Sequence, residues 1–390
     1  MSNAPYCSPV HESHEQRDAF FLPYGTDESA SAVVETFGDL DMEYAALRKG
    51  CVIFDETHMG TIEITGSERL EFLNNMLTAK VDDLKPGMGR KSFWLNRKGR
   101  IDADLRLAEF EDRMLIRVDR HLAQQSAKAL DAFIFAEDTQ IADASHKYHR
   151  FSIHGPTAAG LISSVFSNTD SVDDLTQDQN TTVTFQDHTI MVERDDLCAE
   201  PGLAITIPID QTKAIYEALL AAAEEHPQLK ARPTGWMALN AARIEAGHPL
   251  FNLDFGDSSL PVESGIIEQR VNFTKGCYLG QEVVARMHAR GAGARKVVAV
   301  RIEDQRITPE HTEILQPTTG SQIFPVGQEN ESAVGVVTSS TISPMLGAIP
   351  ICFAMIKTGH NEPGTSLRIS AEGTFVTGTV QEKLAFWSKP

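Results

Sequence analysis

Long hydrophobic runs are absent from this 390-residue chain. No stretch approaches the ~20 consecutive apolar residues that a membrane-spanning helix requires. Residues 1–17 also lack the apolar segment of a signal peptide, so we expect a cytoplasmic protein without a membrane partner. This segment is polar and carries His11 and His14, and we predict that it is a loose arm.

Paired cysteines and metal-ligand spacings are also lacking. The five cysteines are far apart and odd in number, with no CxxC pair and no histidine at ligand spacing. This pattern indicates free thiols in a reducing compartment and predicts no self-contained metal site. The cysteines are Cys7, Cys51, Cys198, Cys277 and Cys352.

Positive charge is scarce. The chain has 35 lysines and arginines against 54 aspartates and glutamates, which gives a net charge of −19. Phosphate backbones repel such a chain, so we expect no nucleic-acid partner. The exception is a basic cluster, which is either the solvated face of a hairpin or a rim that binds an anion. The basic cluster consists of Arg90, Lys91, Arg97, Lys98 and Arg100.

Apolar periodicity predicts an α+β fold. Residues 91–96 and 100–109 are predicted strands, joined by a turn at residues 96–99. Apolar residues in the second strand alternate with polar ones, so Asp102 and Asp104 share one face. A helix predicted at residues 122–135 is typical of an α+β unit. From residue 294 onward, short β-rich runs between Gly/Pro turns predict a compact barrel or sandwich.

One octapeptide concentrates reactive and conformationally special residues: KGCYLGQE, at residues 275–282. Val283, Val284 and Met287 have helical spacing, so a helix is predicted at residues 282–288. Cys277 then lies on a turn before a helix N-terminus, where free backbone N–H groups activate thiols and favour bound anions. The alternative is a tight loop with a half-buried cysteine that only packs.

Five segments carry a further pattern: FDETHMG (residues 54–60), residues 96–105, RIEAG (residues 243–247), the octapeptide, and SSTISPMLG (residues 339–347). Together they resemble the folate-binding superfamily of the glycine-cleavage T-protein and the YgfZ-type proteins of iron–sulfur cluster maintenance. The first, second and last are similar to the T-protein's FDxSHMG motif, the strand of its essential aspartate and its SGxxSPxLG motif. The octapeptide matches KGCYxGQE of the YgfZ branch, and RIEAG fits both branches.

The resemblance implies a three-domain α+β ring around a central tetrahydrofolate tunnel, with a ferredoxin-like unit and a C-terminal β-barrel. We expect an N-terminal arm and the start of domain 1 at residues 1–50, and the ferredoxin-like domain at residues 51–145. The rest of domain 1, which binds folate and carries the octapeptide, is expected at residues 146–292, and the barrel at residues 293–390. The implied cofactor is tetrahydrofolate or a one-carbon derivative.

The resemblance also implies site residues. Asp104 falls on the catalytic aspartate, which orients the folate nitrogen and the aminomethyl carbon, and Cys277 becomes the functional thiol. Three folate contacts are replaced, because Leu197 stands at a tyrosine, Ala204 at the pterin-binding glutamate and Leu239 at an arginine. The expected folate-binding set is Lys91 (a tyrosine in the T-protein), Asp104, Arg243, Lys275, Tyr278, Gln281 and Glu282.

Three functions are open. The first is a YgfZ-type tetrahydrofolate-binding protein that supports iron–sulfur cluster assembly or repair through Cys277, with folate and iron–sulfur client or assembly proteins as partners. The alternative is a tetrahydrofolate-dependent aminomethyltransferase or demethylase that uses Asp104, and the third is a noncatalytic scaffold. The competing roles are an exposed strand carboxylate for Asp104, helix capping for Gln281 and Glu282, interdomain packing for Arg243 and Glu245, and a structural hydrogen bond for His58.

Overall fold

The structure is a computed structural model that describes residues 4–25, 30–290, 293–303 and 314–387. The strands in these ranges are β1 (Phe20–Tyr24), β2 (Ser31–Thr36), β3 (Cys51–Asp55), β4 (Met59–Thr65), β5 (Gly89–Leu95), β6 (Ile101–Glu109), β7 (Arg113–Asp119), β8 (Gln140–Asp143), β9 (Tyr148–His154), β10 (Asn180–Phe185), β11 (His188–Arg194), β12 (Gly202–Pro208), β13 (Ala231–Thr234), β14 (Arg295–Ile302), β15 (Gln322–Pro325), β16 (Gly335–Ser343), β17 (Ile349–Lys357), β18 (Ser366–Ala371) and β19 (Thr374–Val380). The helices are α1 (His11–Glu15), α2 (Leu40–Lys49), α3 (Arg69–Met76), α4 (Arg120–Asp131), α5 (Ala158–Val165), α6 (Thr212–Glu225), α7 (Trp236–Glu245) and α8 (Gln281–Arg290).

The chain divides into two compact units. The first comprises residues 1–92 and 103–239, and the second comprises residues 93–102 and 240–390. No helix in the described part of the chain combines the length and the apolar character needed to cross a membrane.

A six-stranded sheet in the first unit has the order β10-β11-β12-β9-β3-β13, in which β13 runs parallel to β3 and the other neighbouring strands pair antiparallel. Side chains alternate between the two faces of a strand. Phe151, Ile153, Leu203 and Ile205 therefore point to one face and join a core with helices α5 and α6. The opposite face of β9 carries polar residues, and these form part of the candidate site.

A second sheet has the order β5-β6-β7-β4-β8 and packs against helix α4. The alternation predicted for β6 is confirmed, because Ile101, Ala103 and Leu105 are buried while Asp102 and Asp104 are half-buried. The polar face of β6 therefore offers two carboxylates in a partly water-excluded position.

The second unit ends in a closed barrel with the order β14-β17-β16-β15-β18-β19. This confirms the all-β domain predicted from residue 294, although the short strand β15 was not predicted. Val300, Ile323, Cys352, Ile356 and Leu367 belong to its buried core. Closure pairs the edge strands with each other, which removes exposed edges.

The N-terminal segment is not a loose arm, and that prediction was wrong. It forms helix α1, and His14 is buried with Nε2 2.8 Å from Asp55 Oδ2. The other oxygen of Asp55 lies 2.9 Å from His149 Nε2, and Tyr216 Oη lies 3.2 Å from His14 Nδ1. Burial would raise the pKa of Asp55, but the two imidazoles outweigh burial and lower it far below its usual range. The sequence did not predict these contacts, because the segment is polar and its partners are distant in the chain.

Candidate functional site

Asp104 lies on β6 between Asp102 and Arg106, and these three side chains share one half-buried face. Asp102 accepts a hydrogen bond of 2.8 Å from Asn96 Nδ2, and burial raises its pKa. Asp104 is therefore not the exposed carboxylate that one alternative predicted. A half-buried carboxylate can hold an amine or move its proton, because low solvent access strengthens its interactions.

A charge network covers the polar face of the six-stranded sheet. Its centre is Asp195, which is buried and accepts hydrogen bonds from Arg117 Nη2 at 2.8 Å and Lys91 Nζ at 3.4 Å, and pairs with Arg106. Burial would raise the pKa of Asp195, but the charges of Arg106, Lys91 and Arg117 lower it well below its usual range. The charge network consists of Glu56, Lys91, Arg106, Arg117, Arg150, Glu193 and Asp195.

Glu56, from the FDETHMG motif, is the second anion at the centre of the charge network. It accepts hydrogen bonds of 3.3 Å from Arg117 Nη1 and from Arg150 Nε. Burial would raise the pKa of Glu56, but the two guanidinium groups outweigh burial and lower it to about 2. No local sequence pattern connects residues so far apart, so the sequence does not predict a shared site for Glu56, Arg106, Arg117, Arg150, Glu193 and Asp195.

Four buried polar atoms on or beside this face have no hydrogen-bond partner among the described residues. They are Ser152 Oγ, His154 Nδ1, Arg117 Nε and His58 Nδ1. The structural hydrogen bond expected for His58 is thus missing at Nδ1, and burial lowers the pKa of His58 to about 4. Because nearly all buried polar groups in native proteins are paired, this concentration marks a place for water or a polar ligand.

The residues of this face fit a polar ring. Ala204, which stands where the T-protein has its pterin-binding glutamate, is buried and pairs with Ser152 on one side and Glu193 on the other. An unpaired hydroxyl and a carboxylate therefore flank a methyl group. Reduced folate presents several ring N–H groups and an oxo group, which match these acceptors and donors.

The octapeptide packs against the turn that precedes β6. Gly280 has φ +82°, and a Cβ there would lie 3.0 Å from the carbonyl oxygen of Asn96. Gly99 has φ +71°, and a Cβ there would lie 2.7 Å from Val283 Cβ. Both glycines are required by positive φ and by this close approach. The motif and the hairpin turn, which the sequence analysis treated separately, are thus neighbours.

Cys277 is exposed, so the half-buried packing cysteine is not what the structure shows. It lies four residues before α8, and the helix predicted to follow it is confirmed. Tyr278 is buried, which raises its pKa to about 12, and Lys275 Nζ lies 5.3 Å from the centre of its ring. Gln281 and Glu282 form the first turn of α8, and Glu282 is exposed.

Arg243 and Glu245 connect α7 to β16 within the second unit. Arg243 is fully buried and donates to Asp254 Oδ2 at 2.5 Å, Ser339 Oγ at 2.5 Å and Asn240 Oδ1 at 2.9 Å. Glu245 accepts from Ser343 Oγ and from the Met345 backbone N–H. The RIEAG and SSTISPMLG motifs therefore meet, and Arg243 has a clear structural task in addition to the predicted folate contact.

The basic cluster does not act as one free rim, because protein acceptors engage three of its five cations. Arg90 donates to the Lys80 carbonyl at 2.6 Å, Arg100 donates to the Ser258 carbonyl, and Lys91 lies in the charge network. Arg97 and Lys98 are exposed. The anion-binding rim is therefore less well supported than the hairpin face.

We predict that acid destabilises the protein in two pH windows. The pKa of His58 is about 4 in the folded state against 6.5 ordinarily, so the unfolded chain binds a proton first and stability falls from pH 6.5 to 4. The pKa of Glu56 is about 2 against 4.5, so its contribution is present above pH 4.5 and is lost as the pH falls toward 2. Each shift corresponds to roughly 3 kcal/mol at most.

Urea denaturation of the wild type and a His58→Gln variant at several pH values tests this. The wild type should lose stability relative to the variant between pH 6.5 and 4, and the difference should then level off. A difference that does not change over this range would contradict the prediction.

Comparisons with known proteins identify family matches to the N-terminal part of the chain and to the C-terminal barrel. The family described as the GCVT N-terminal domain matches residues 10–275, and the glycine cleavage T-protein C-terminal barrel domain matches residues 295–386. An aminomethyltransferase of Saccharopolyspora erythraea is 28% identical over 378 residues, covering 96% of each chain. A mitochondrial aminomethyltransferase of Dictyostelium discoideum is 25% identical over 391 residues, covering 98% of this chain and 92% of that protein.

A solved structure shows the same fold. The glycine cleavage system aminomethyltransferase T from Bartonella henselae superimposes with a TM-score of 0.82 and 22% identity, covering 98% of both chains. The family match to residues 10–275 spans more than half of this chain, and the barrel match extends it to residue 386. This chain therefore belongs to the glycine-cleavage T-protein family.

Proposed function

We propose that this protein binds a reduced folate and transfers to it the methylene carbon of an aminomethyl donor, with release of ammonia and of the donor's carrier group and with Asp104 as the catalytic carboxylate. The observation that carries the proposal is the half-buried position of Asp104 on the polar face of β6, and the resemblance of residues 96–105 to the strand of the T-protein's essential aspartate supports it. Relatives named aminomethyltransferase, aligned over 96% and 98% of this chain, support the same activity.

The roles of the chain's own residues follow from their surroundings. The folate supplies the nitrogen that accepts the one-carbon unit. Asp104 holds the reacting amine and takes or returns its proton, which a carboxylate with limited solvent access does well.

These findings favour aminomethyl transfer over the iron–sulfur function that the octapeptide first suggested. The relatives' names agree with transfer. A cluster generally requires four thiolates or their equivalents, and Cys277 supplies one. Iron–sulfur support would thus require thiols from glutathione, a partner or a second copy.

Calorimetric titration with 5-formyltetrahydrofolate, followed by an assay for 5,10-methylenetetrahydrofolate formed from an aminomethyl donor, tests the proposal. We expect one folate per chain and product formation that requires the donor. Absence of both heat and product would leave the scaffold function in its place. Binding without product would instead favour the second candidate.

The second candidate is a YgfZ-type folate-binding protein that supports iron–sulfur enzymes. The observation in its favour is the exposed thiol of Cys277 within KGCYLGQE, four residues before α8. Here a Cys277→Ala variant should fail to sustain iron–sulfur enzyme activity in cells, whereas Asp104→Asn should sustain it. If the protein is an aminomethyltransferase, Asp104→Asn should abolish the transfer reaction and Cys277→Ala should leave it intact.

A further inference from the structure

We propose that Glu193 is the carboxylate that selects the 2-amino-4-oxo ring of the folate in this chain, with Ser152 as its partner across the sheet. The inference rests on the proposed folate function and concerns how this chain recognises the ring although Ala204 lacks a polar side chain. It follows from one row of residues, one unused carboxylate oxygen and the unpaired polar atoms around them.

The row runs straight across four neighbouring strands. Glu193 on β11 pairs with Ala204 on β12, Ala204 pairs with Ser152 on β9, and Ser152 pairs with Phe54 on β3. Directly paired residues project from the same face, with Cβ atoms about 5 Å apart. The face thus presents a carboxylate, a methyl group, a hydroxyl and an aromatic ring in that order.

Glu193 is held in place but not saturated. Its Oε2 accepts from Arg150 Nη2, and Arg150 is itself fixed by Glu56 and Thr206. Its Oε1 accepts no hydrogen bond from any described residue, and the side chain remains 16% exposed at the cleft lined by Arg106, Arg117 and Asp195. A carboxylate has about four acceptor positions. Glu193 can therefore bind a further pair of N–H donors without losing Arg150.

The surrounding groups suit a neutral polar ring better than an anion. The four cations of the charge network face four carboxylates when Asp178, which lies 3.4 Å from Lys91, is counted. No surplus positive charge is left for a phosphate or a carboxylate. The polar atoms that remain available to a ligand are the unpaired Ser152 Oγ, in a residue that is only 1% exposed, and the unpaired Arg117 Nε.

The chemistry of a 2-amino-4-oxopyrimidine matches this set. Its 2-amino group and adjacent ring N–H form a parallel donor pair, which a carboxylate binds as it binds a guanidinium. The oxo group can accept from Arg117 Nε or Ser152 Oγ, and Ala204 presents only a methyl group between the two sides of the row. With alanine at position 204, the carboxylate of the row is that of Glu193, one strand away.

Binding of two ligands to three variants tests the proposal. The ligands are 5-formyltetrahydrofolate and its analogue with a 2-methyl group in place of the 2-amino group, and binding is measured by calorimetry. Glu193→Gln should weaken binding of the first ligand by roughly 10- to 100-fold and weaken binding of the analogue clearly less, because the analogue keeps only the ring N–H of the donor pair. Adding Ala204→Glu to Glu193→Gln should restore most of the lost affinity, because it returns a carboxylate to the paired position.

Glu63→Gln is the matched control, because Glu63 is also an ion-paired carboxylate of the first unit and accepts from Arg113 at 2.9 Å and Lys147 at 2.6 Å. It should leave both affinities within about twofold, because Glu63 belongs neither to the row nor to the cleft beside Glu193. Equal weakening of both ligands by Glu193→Gln, without rescue by Ala204→Glu, would assign Glu193 a structural task and overturn the inference. Unchanged binding in Glu193→Gln would overturn it too, while the folate function would stand. A wild type that binds neither ligand would refute the folate function itself.

Discussion

Replacing Asp195 with alanine is expected to lower the free energy of unfolding by about 3 to 5 kcal/mol, since one buried and two half-buried cations lose their shared partner. Asp195 is 6% exposed, and it contacts Lys91, Arg106 and Arg117. Arg117 is buried as deeply, and the nearby carboxylates raise its pKa, so it cannot lose its proton to escape the cost. Urea denaturation monitored by tryptophan fluorescence measures the loss.

Asp178→Asn is the matched control, because asparagine tolerates the positive φ of 65° at this position. Asp178 also lies 3.4 Å from Lys91, but its side chain is 34% exposed and water can replace it. We expect a loss of less than about 1 kcal/mol, as for other solvent-accessible ion pairs. Equal losses in the two variants would show that the charge network is more hydrated than its burial indicates.

Replacing Asp104 with asparagine is expected to reduce aminomethyl transfer to tetrahydrofolate by about 10²- to 10⁴-fold, the usual contribution of a positioned acid–base group. Asparagine keeps the size and one hydrogen-bond acceptor but cannot take a proton. The affinity for 5-formyltetrahydrofolate should change only a few-fold, because the ring is recognised elsewhere in the proposed site. Single-turnover rates and calorimetry on the same preparation separate the two effects.

Two variants serve as controls for this experiment. Asp102→Asn changes a carboxylate on the same face of the same strand, already bound to Asn96, and should reduce transfer by less than about tenfold. Cys277→Ala should leave transfer intact. A strong loss with Cys277→Ala and normal transfer with Asp104→Asn would support the iron–sulfur function in place of the proposed one.

The candidate site was only partly predictable. Asp104 could be identified because a strand's alternation is local and the family pattern is continuous there. The charge network could not, because Arg117 and Asp195 are 78 positions apart and each alone has the pattern of a surface residue. Ala204 indicated a missing carboxylate, but only the strand register shows that Glu193 lies directly beside it.

The amino-acid sequence was sufficient to predict the barrel from residue 294, the two-faced strand β6 and the helix after Cys277, since each depends on periodicity within a dozen residues. It also determined the family, through motifs that are continuous in the chain. Tertiary contacts, in contrast, bury the N-terminal histidine against Asp55, leave Cys277 exposed and place the unpaired polar atoms on or beside one face. The physical reason is that burial and charge pairing depend on which distant segments meet, and a polar residue has the same local pattern whether water or a buried ion is its partner.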